Sequence, residues 1–198
     1  MSCVCSIPLQ PRPAPAGAAQ SARRVSALLL CLLLYGLPAG SPAEETLASD
    51  YRVKAAFLYN FARFTTWPEL PAGHFTLCLL GQDPLAEHTG ILQDKIVHGR
   101  PLRIVQLDAT AHAGGCQLLY VGRSQAHRLH QILRTVQGKP VLTVSDVARF
   151  TASGGMIGFL TLDSKIRFEI NVAAATRADL AISSKLLTLA ASTQPDRK

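Results

Sequence analysis

The sequence lacks an apolar run long enough to span a bilayer: the stretch from Val25 to Leu37 falls short of the ~20 residues a transmembrane helix needs. It contains no G-x-G-x-x-G, no G-x-x-x-x-G-K-[ST] and no G-x-S-x-G, so dinucleotide, P-loop and hydrolase-elbow chemistries have no support. Acidic residues are scarce, 13 against 20 Lys and Arg, for a formal charge of +7. The basic residues nevertheless form no block or stripe, and a nucleic-acid partner is not expected. Cysteines number only five, and Cys78 and Cys116, without a close His or Cys partner, do not make a tetrahedral metal set.

What is present begins at the N-terminus. Residues 1–22 mix Pro11, Pro13, Pro15, Gly17 and alanines without hydrophobic period, a composition that cannot bury enough apolar surface to fold. Arg23 and Arg24 then precede Val25–Leu37, and Ser41, Pro42 and Ala43 follow. Charge, apolar run and small residues in that order describe a secretory leader cleaved after about Ala43. The sequence therefore divides into a leader and extension at 1–43 and one domain at 44–198, placed in the periplasm. Loss of Arg12, Arg23 and Arg24 leaves 17 basic against 13 acidic residues, a mature charge of +4. Cys3, Cys5 and Cys31 go with the leader, and Cys78 and Cys116 remain, a natural disulfide pair in an oxidising compartment.

Along the mature chain, Ser49 or Asp50 caps a helix in which Val53, Phe57, Phe61 and Phe64 recur on one face, and Trp67-Pro68 ends it. Strands are predicted at 75–80, 102–107, 117–121 and 141–144. Between them lie a short helix from Asp83-Pro84 to Leu92 and a second, capped by Ser124, with Leu129, Ile132, Leu133 and Val136 on one side. Gly154-Gly155 reads as a flexible joint. Met156–Leu162 and Ile166–Ile170 form a hairpin through Asp163-Ser164, and Asn171 and Ser183 or Ser184 open the last two helices. The fold class is α/β: a single-domain, mainly parallel sheet with helices on both faces and an antiparallel edge hairpin.

Candidate chemistry is sparse. His127 and His130 stand at i, i+3 on a helix without a third ligand nearby, and His74, His88, His98 and His112 fall in loops. Asp163 and Glu169 are paired carboxylates only if the hairpin brings them together, and alternation with Lys165 and Arg167 on a solvated face explains them more simply. Gly154-Gly155 could form an anion nest, with a plain turn the stronger reading. No cofactor is expected.

The segment Val53-Lys54-Ala55-Ala56-Phe57-Leu58-Tyr59-Asn60-Phe61-Ala62-Arg63-Phe64-Thr65-Thr66-Trp67-Pro68 resembles the opening signature of the YfiR-like family. Similar pieces follow in order: Cys78-Leu79-Leu80-Gly81, Cys116, Val141 to Asp146, Gly154-Gly155-Met156-Ile157, Arg167-Phe168-Glu169-Ile170-Asn171 and Ile182 to Leu187. The resemblance implies a periplasmic α/β protein without enzyme activity that binds and represses an inner-membrane signalling protein, a diguanylate cyclase of the cyclic-di-GMP pathway. It implies a disulfide between Cys78 and Cys116. A second bridge found in some members has no counterpart here, since residues 141–158 contain no cysteine. It also implies a ligand-facing region at Thr66, Trp67 and Ala181 to Ser184, with hydroxyls where the namesake carries basic and imidazole groups. Arg167, Glu169 and Asn171 are the remaining candidates for partner contact. A periplasmic small-molecule binding module is the alternative function, and a homodimer is left open.

Overall fold

The computed structural model describes residues 42–194; the leader read at 1–43 lies outside them except for its last two residues. The chain runs α1 (Pro42–Arg63), β1 (Thr65–Thr66), β2 (Phe75–Leu80), β3 (Ile96–Val97), β4 (Arg100–Leu107), β5 (Leu118–Val121), α2 (Leu129–Val136), β6 (Leu142–Ser145), β7 (Ile157–Leu162), β8 (Lys165–Asn171), α3 (Val172–Thr176), β9 (Ala181–Ile182), α4 (Ser184–Leu189) and β10 (Ser192–Gln194). Segments of 3-10 helix occupy Pro84–Leu92, Thr110–Gly115 and Arg123–Arg128.

The main sheet has the order β10-β8-β7-β6-β5-β2-β4-β3. β4, β2, β5, β6 and β7 are parallel, and β8 returns antiparallel to β7. All six residues of β2 are buried, which is why Phe75–Leu80 reads as an unbroken apolar run: a parallel strand is covered on both faces. Leu77, Leu79, Leu118, Tyr120, Leu142 and Val144 join Ala55, Leu58 and Phe61 of α1 in one core. Cys78, Leu80, Leu119 and Val121 point the other way, onto Leu129, Ile132 and Val136 of α2 and onto Phe150. The Cys78–Cys116 disulfide lies in this second core with Cα atoms 5.9 Å apart.

The hairpin is built as its sequence requires. Asp163 and Ser164 both adopt positive φ, 49° and 57°, the backbone of a primed two-residue turn. Phe159 and Phe168 face each other across it and meet Phe57 and Phe61 of α1, with ring centroids 4.9–6.2 Å apart.

Several expectations are corrected. α1 stops at Arg63, not at Trp67, because β-branched Thr65 and Thr66 pair with Ile182 and Ala181, and Pro68 bars Trp67 from the helix. Val53 is 40% exposed and not on the core face, whereas Lys54 is buried, so α1 is turned slightly from the aromatic stripe. Ser124 caps nothing: it sits inside a 3-10 segment whose cap position is Gly122. Gly154-Gly155 is a turn packed against Phe150. Gly154 has φ +101°, and a Cβ on Gly155 would overlap the buried ring of Phe150. His98, read only as a loop histidine, has its Nε2 3.0 and 2.9 Å from the carbonyls of Ala62 and Thr65. Carbonyls only accept, so Nε2 carries the proton and closes the end of α1.

Candidate functional site

The residues singled out from sequence fall at opposite ends of the sheet. At the N-terminal end of the parallel strands, β1 and β9 form a two-stranded ladder, and the Ser183 amide donates to Phe64 O at 2.9 Å. Thr66 and Ser183 are thereby brought together. Trp67 is buried beside Phe75 and His98, and its indole N–H donates to Pro140 O at 2.9 Å. Ser183 accepts from the Leu186 amide as N-cap of α4. Arg100 pins the following loop through Leu70 O, Pro71 O and His98 O. Of this group Thr66, Ala181 and Ser184 are exposed, while Ser183 is half-buried.

Arg167 and Glu169 lie at the other end. β6 stops at Ser145, opposite Gly158, while Phe159–Leu162 and their partners in β8 run on, an overhang of roughly 13 Å. Arg167 pairs with Leu160 in this overhang. Trp67, anchored just before β6 begins, is therefore roughly 20 Å away along the strand axis. Alternation puts Phe159, Ile166 and Phe168 against α1 and turns Leu160, Leu162, Lys165, Arg167 and Glu169 outward. Leu162 is 47% exposed. The outward face is thus an apolar pair, Leu160 and Leu162, each opposite a basic residue, Arg167 and Lys165. Glu169 hydrogen-bonds with the Thr151 hydroxyl. Asn171 is buried: its Oδ1 accepts from the Ala174 amide as N-cap of α3, and its Nδ2 donates to Thr151 O. Asp163 stays at the turn and does not join Glu169.

The same end holds a polar cluster that periodicity does not reveal. Asp83, Arg123 and Asp146 each follow closely on the last residue of β2, β5 or β6, and β2 and β5 flank the point where the order of connections reverses. In open α/β sheets this is where a crevice forms. Asp146 Oδ2 accepts from Lys54 Nζ at 2.7 Å and from Arg123 Nε at 3.0 Å. The Tyr120 hydroxyl donates to Asp83 Oδ2 at 3.2 Å. Burial, and then the Asp146 and Asp83 carboxylates, push the Tyr120 phenol well above its ordinary range; Tyr51, stacked on His88, is also raised, first by burial and then by the Asp83 and Asp146 carboxylates, with Arg123 acting against them. Among the described residues no group of three or more His, Cys, Asp or Glu is placed to hold a metal. Buried and bonded to Asp83, the Tyr120 phenol ties β5 to the loop that follows β2. The signal for this cluster was in the sequence, as charged residues within three positions of the ends of β2, β5 and β6.

Residues 51–191 match the family model described as YfiR/HmsC-like. The chain belongs to the YfiR/HmsC-like family. This is a regulatory rather than a catalytic family. Among solved structures, the YfiR/HmsC-like chain is similar to a conserved domain protein from Vibrio cholerae O1 biovar eltor. The TM-score is 0.50 at 11% identity, over 73% of this chain and 60% of that one. It spans, then, 60% of that protein's length, and the likeness concerns the fold. Within the family match lie the Cys78–Cys116 bridge and both ends of the sheet described above. No helix among the described residues is long and apolar enough to cross a membrane.

Proposed function

We propose that this YfiR/HmsC-like protein is a periplasmic regulator of cyclic-di-GMP signalling that binds the periplasmic part of an inner-membrane diguanylate cyclase and holds it inactive. Residues 1–43 serve as the export leader and 44–198 as the working domain. The observation that carries the reading is the overhanging hairpin. Its inner face is consumed by Phe57 and Phe61, while its outer face offers Leu160 and Leu162 framed by Lys165 and Arg167. Apolar side chains rimmed by charge beyond the end of a rigid sheet suit protein docking. Family membership supports regulation, and the Cys78–Cys116 bridge supports an oxidising compartment.

The test is co-purification from detergent-solubilised membranes with tagged wild type and a Leu162→Asp variant. Leu162 is half-exposed, so the variant keeps the parent's melting temperature. Recovery of a membrane cyclase by wild type and its loss with the variant is the expected result. Equal recovery by both moves the interface off the hairpin, and recovery of no membrane protein by either contradicts the reading.

A further inference from the structure

Thr143 and Met156 mark the place where the parallel ladder gives way. β6 pairs with β7 only at Val144↔Ile157 and Ser145↔Gly158. One step lower, the Met156 amide donates to Thr143 Oγ1 at 3.1 Å, a side chain standing where a backbone acceptor would continue the sheet. A cavity of about 240 Å³ opens at this notch, between α2, the Ser153–Gly154 turn and α3. Its floor is apolar: Val136, Met156, Ala174 and Ala178 are all buried.

The rim has one sign of charge. Arg134 and Arg177 line the cavity together with His130, all three exposed, and no carboxylate does. Among the described residues neither guanidinium takes part in an ion pair, the carboxylate contacts being those of Lys54 and Arg123 with Asp146. Two unpaired cations lining one concavity make it attractive to an anion. Planar guanidinium forks match the two-oxygen edge of a carboxylate or phosphate.

We propose that this notch binds a small amphiphilic oxyanion, a carboxylate or phosphate carried on a compact apolar body, with the anionic head at Arg134 and Arg177 and the body against Met156, Ala174 and Ala178. The volume falls below the roughly 300–1,000 Å³ of pockets that take drug-sized ligands, so the body is no larger than a single ring or short chain. The inference is independent of the partner reading, because the notch lies beside the N-terminal half of β6 and the hairpin face beyond its C-terminal end.

The experiment is a ¹H–¹⁵N titration of the purified full chain with phenyl phosphate, benzoate, inorganic phosphate and benzyl alcohol. Phenyl phosphate and benzoate are expected to shift the amides of Gly138, Thr143, Gly154 and Ala178 to saturation. Benzyl alcohol, which lacks the head, and inorganic phosphate, which lacks the body, are each expected to bind about tenfold more weakly or worse. The double variant Arg134→Gln, Arg177→Gln is expected to lose about tenfold or more in affinity for phenyl phosphate at unchanged melting temperature. Equal binding of benzyl alcohol overturns the charge argument, and equal binding of inorganic phosphate overturns the apolar one. Unchanged affinity in the double variant, or shifts confined to other parts of the chain, overturns the site.

Discussion

Lys54 and Asp146, 92 residues apart in sequence, form a buried ion pair of 2.7 Å, with side chains only 6% and 2% exposed. The pair ties the middle of α1 to the C-terminal end of β6. Arg123 approaches the same carboxylate oxygen from the surface, its own side chain 66% exposed, and the other oxygen, Oδ1, is buried without a hydrogen-bond partner. A carboxylate so placed depends on the ammonium of Lys54. Removing one member of a buried pair costs more than removing both, because it strands the other charge.

Lys54→Met is therefore predicted to destabilise the protein by about 3 kcal/mol, the low end for a broken buried pair because Arg123 remains. The double variant Lys54→Met, Asp146→Leu is predicted to be more stable than Lys54→Met alone. Urea unfolding midpoints of the three proteins decide it. A double variant less stable than the single one would show that Asp146 acts mainly through Tyr120 and the strand ends.

Reduction tests the bridge. Cys78 and Cys116 close a separation of 38 residues, which on the chain-entropy model is worth about 4 kcal/mol. Cys78→Ala, Cys116→Ala should lose that much in chemical denaturation, and dithiothreitol should do the same to the wild type. A loss below ~1 kcal/mol would mean that the unfolded chain is already compact around this loop.

Alkaline pH should expose Tyr120. Its phenol is pushed above the ordinary value of 10.0, first by burial and then by the Asp146 and Asp83 carboxylates. The folded state thus keeps a proton that the unfolded chain releases. Stability from this source is complete below pH 10 and drains away above it, by up to about 1.4 kcal/mol per pH unit. Tyr120→Phe should have a shallower alkaline limb than wild type in unfolding measured from pH 9 to 11. Parallel limbs would contradict it.

Gly155→Ala should cost about 1–3 kcal/mol, because the added methyl enters the volume of the Phe150 ring, which is buried and cannot swing aside. Shortening the ring should relieve it: Phe150→Leu in the Gly155→Ala background is predicted to destabilise less than in wild type. Additive losses, read as shifts in thermal midpoint, would refute the contact.

The long elements were legible in the sequence because each carries its own periodicity. Phe75–Leu80 and the hairpin through Asp163-Ser164 were placed by apolar runs and turn chemistry alone, and the structure keeps both. Two-residue strands carry no period. β1, β3 and β9 exist only because a partner lies alongside, so Thr65–Thr66 read as the tail of a helix. β10 was hidden for the same reason, although it covers the end of β8 beside Glu169 and Asn171. Periodicity also misassigned Val53 and passed over Lys54, a lysine whose burial rests on an aspartate far along the chain. Of the candidate site, Arg167 was placed on an exposed face and is there, and Asn171 was weighed as an N-cap and is one. That Trp67 stands roughly 20 Å from Arg167 could not be read from residues whose separation depends on the register of β6 against β7.

The central claim, that the outward hairpin face represses a membrane diguanylate cyclase, is tested most directly by cyclase turnover. The protein would be titrated onto membranes holding the cyclase recovered by co-purification, and cyclic-di-GMP formation followed as wild type and the Leu162→Asp, Arg167→Glu variant are added. Both substituted side chains are exposed and outside the core, so the variant folds. The prediction is saturable inhibition by wild type and an inhibitory concentration raised about tenfold or more by the variant, the loss of a hot-spot pair. Inhibition by both at the same concentration would contradict the hairpin's role, and no inhibition by wild type would contradict repression itself.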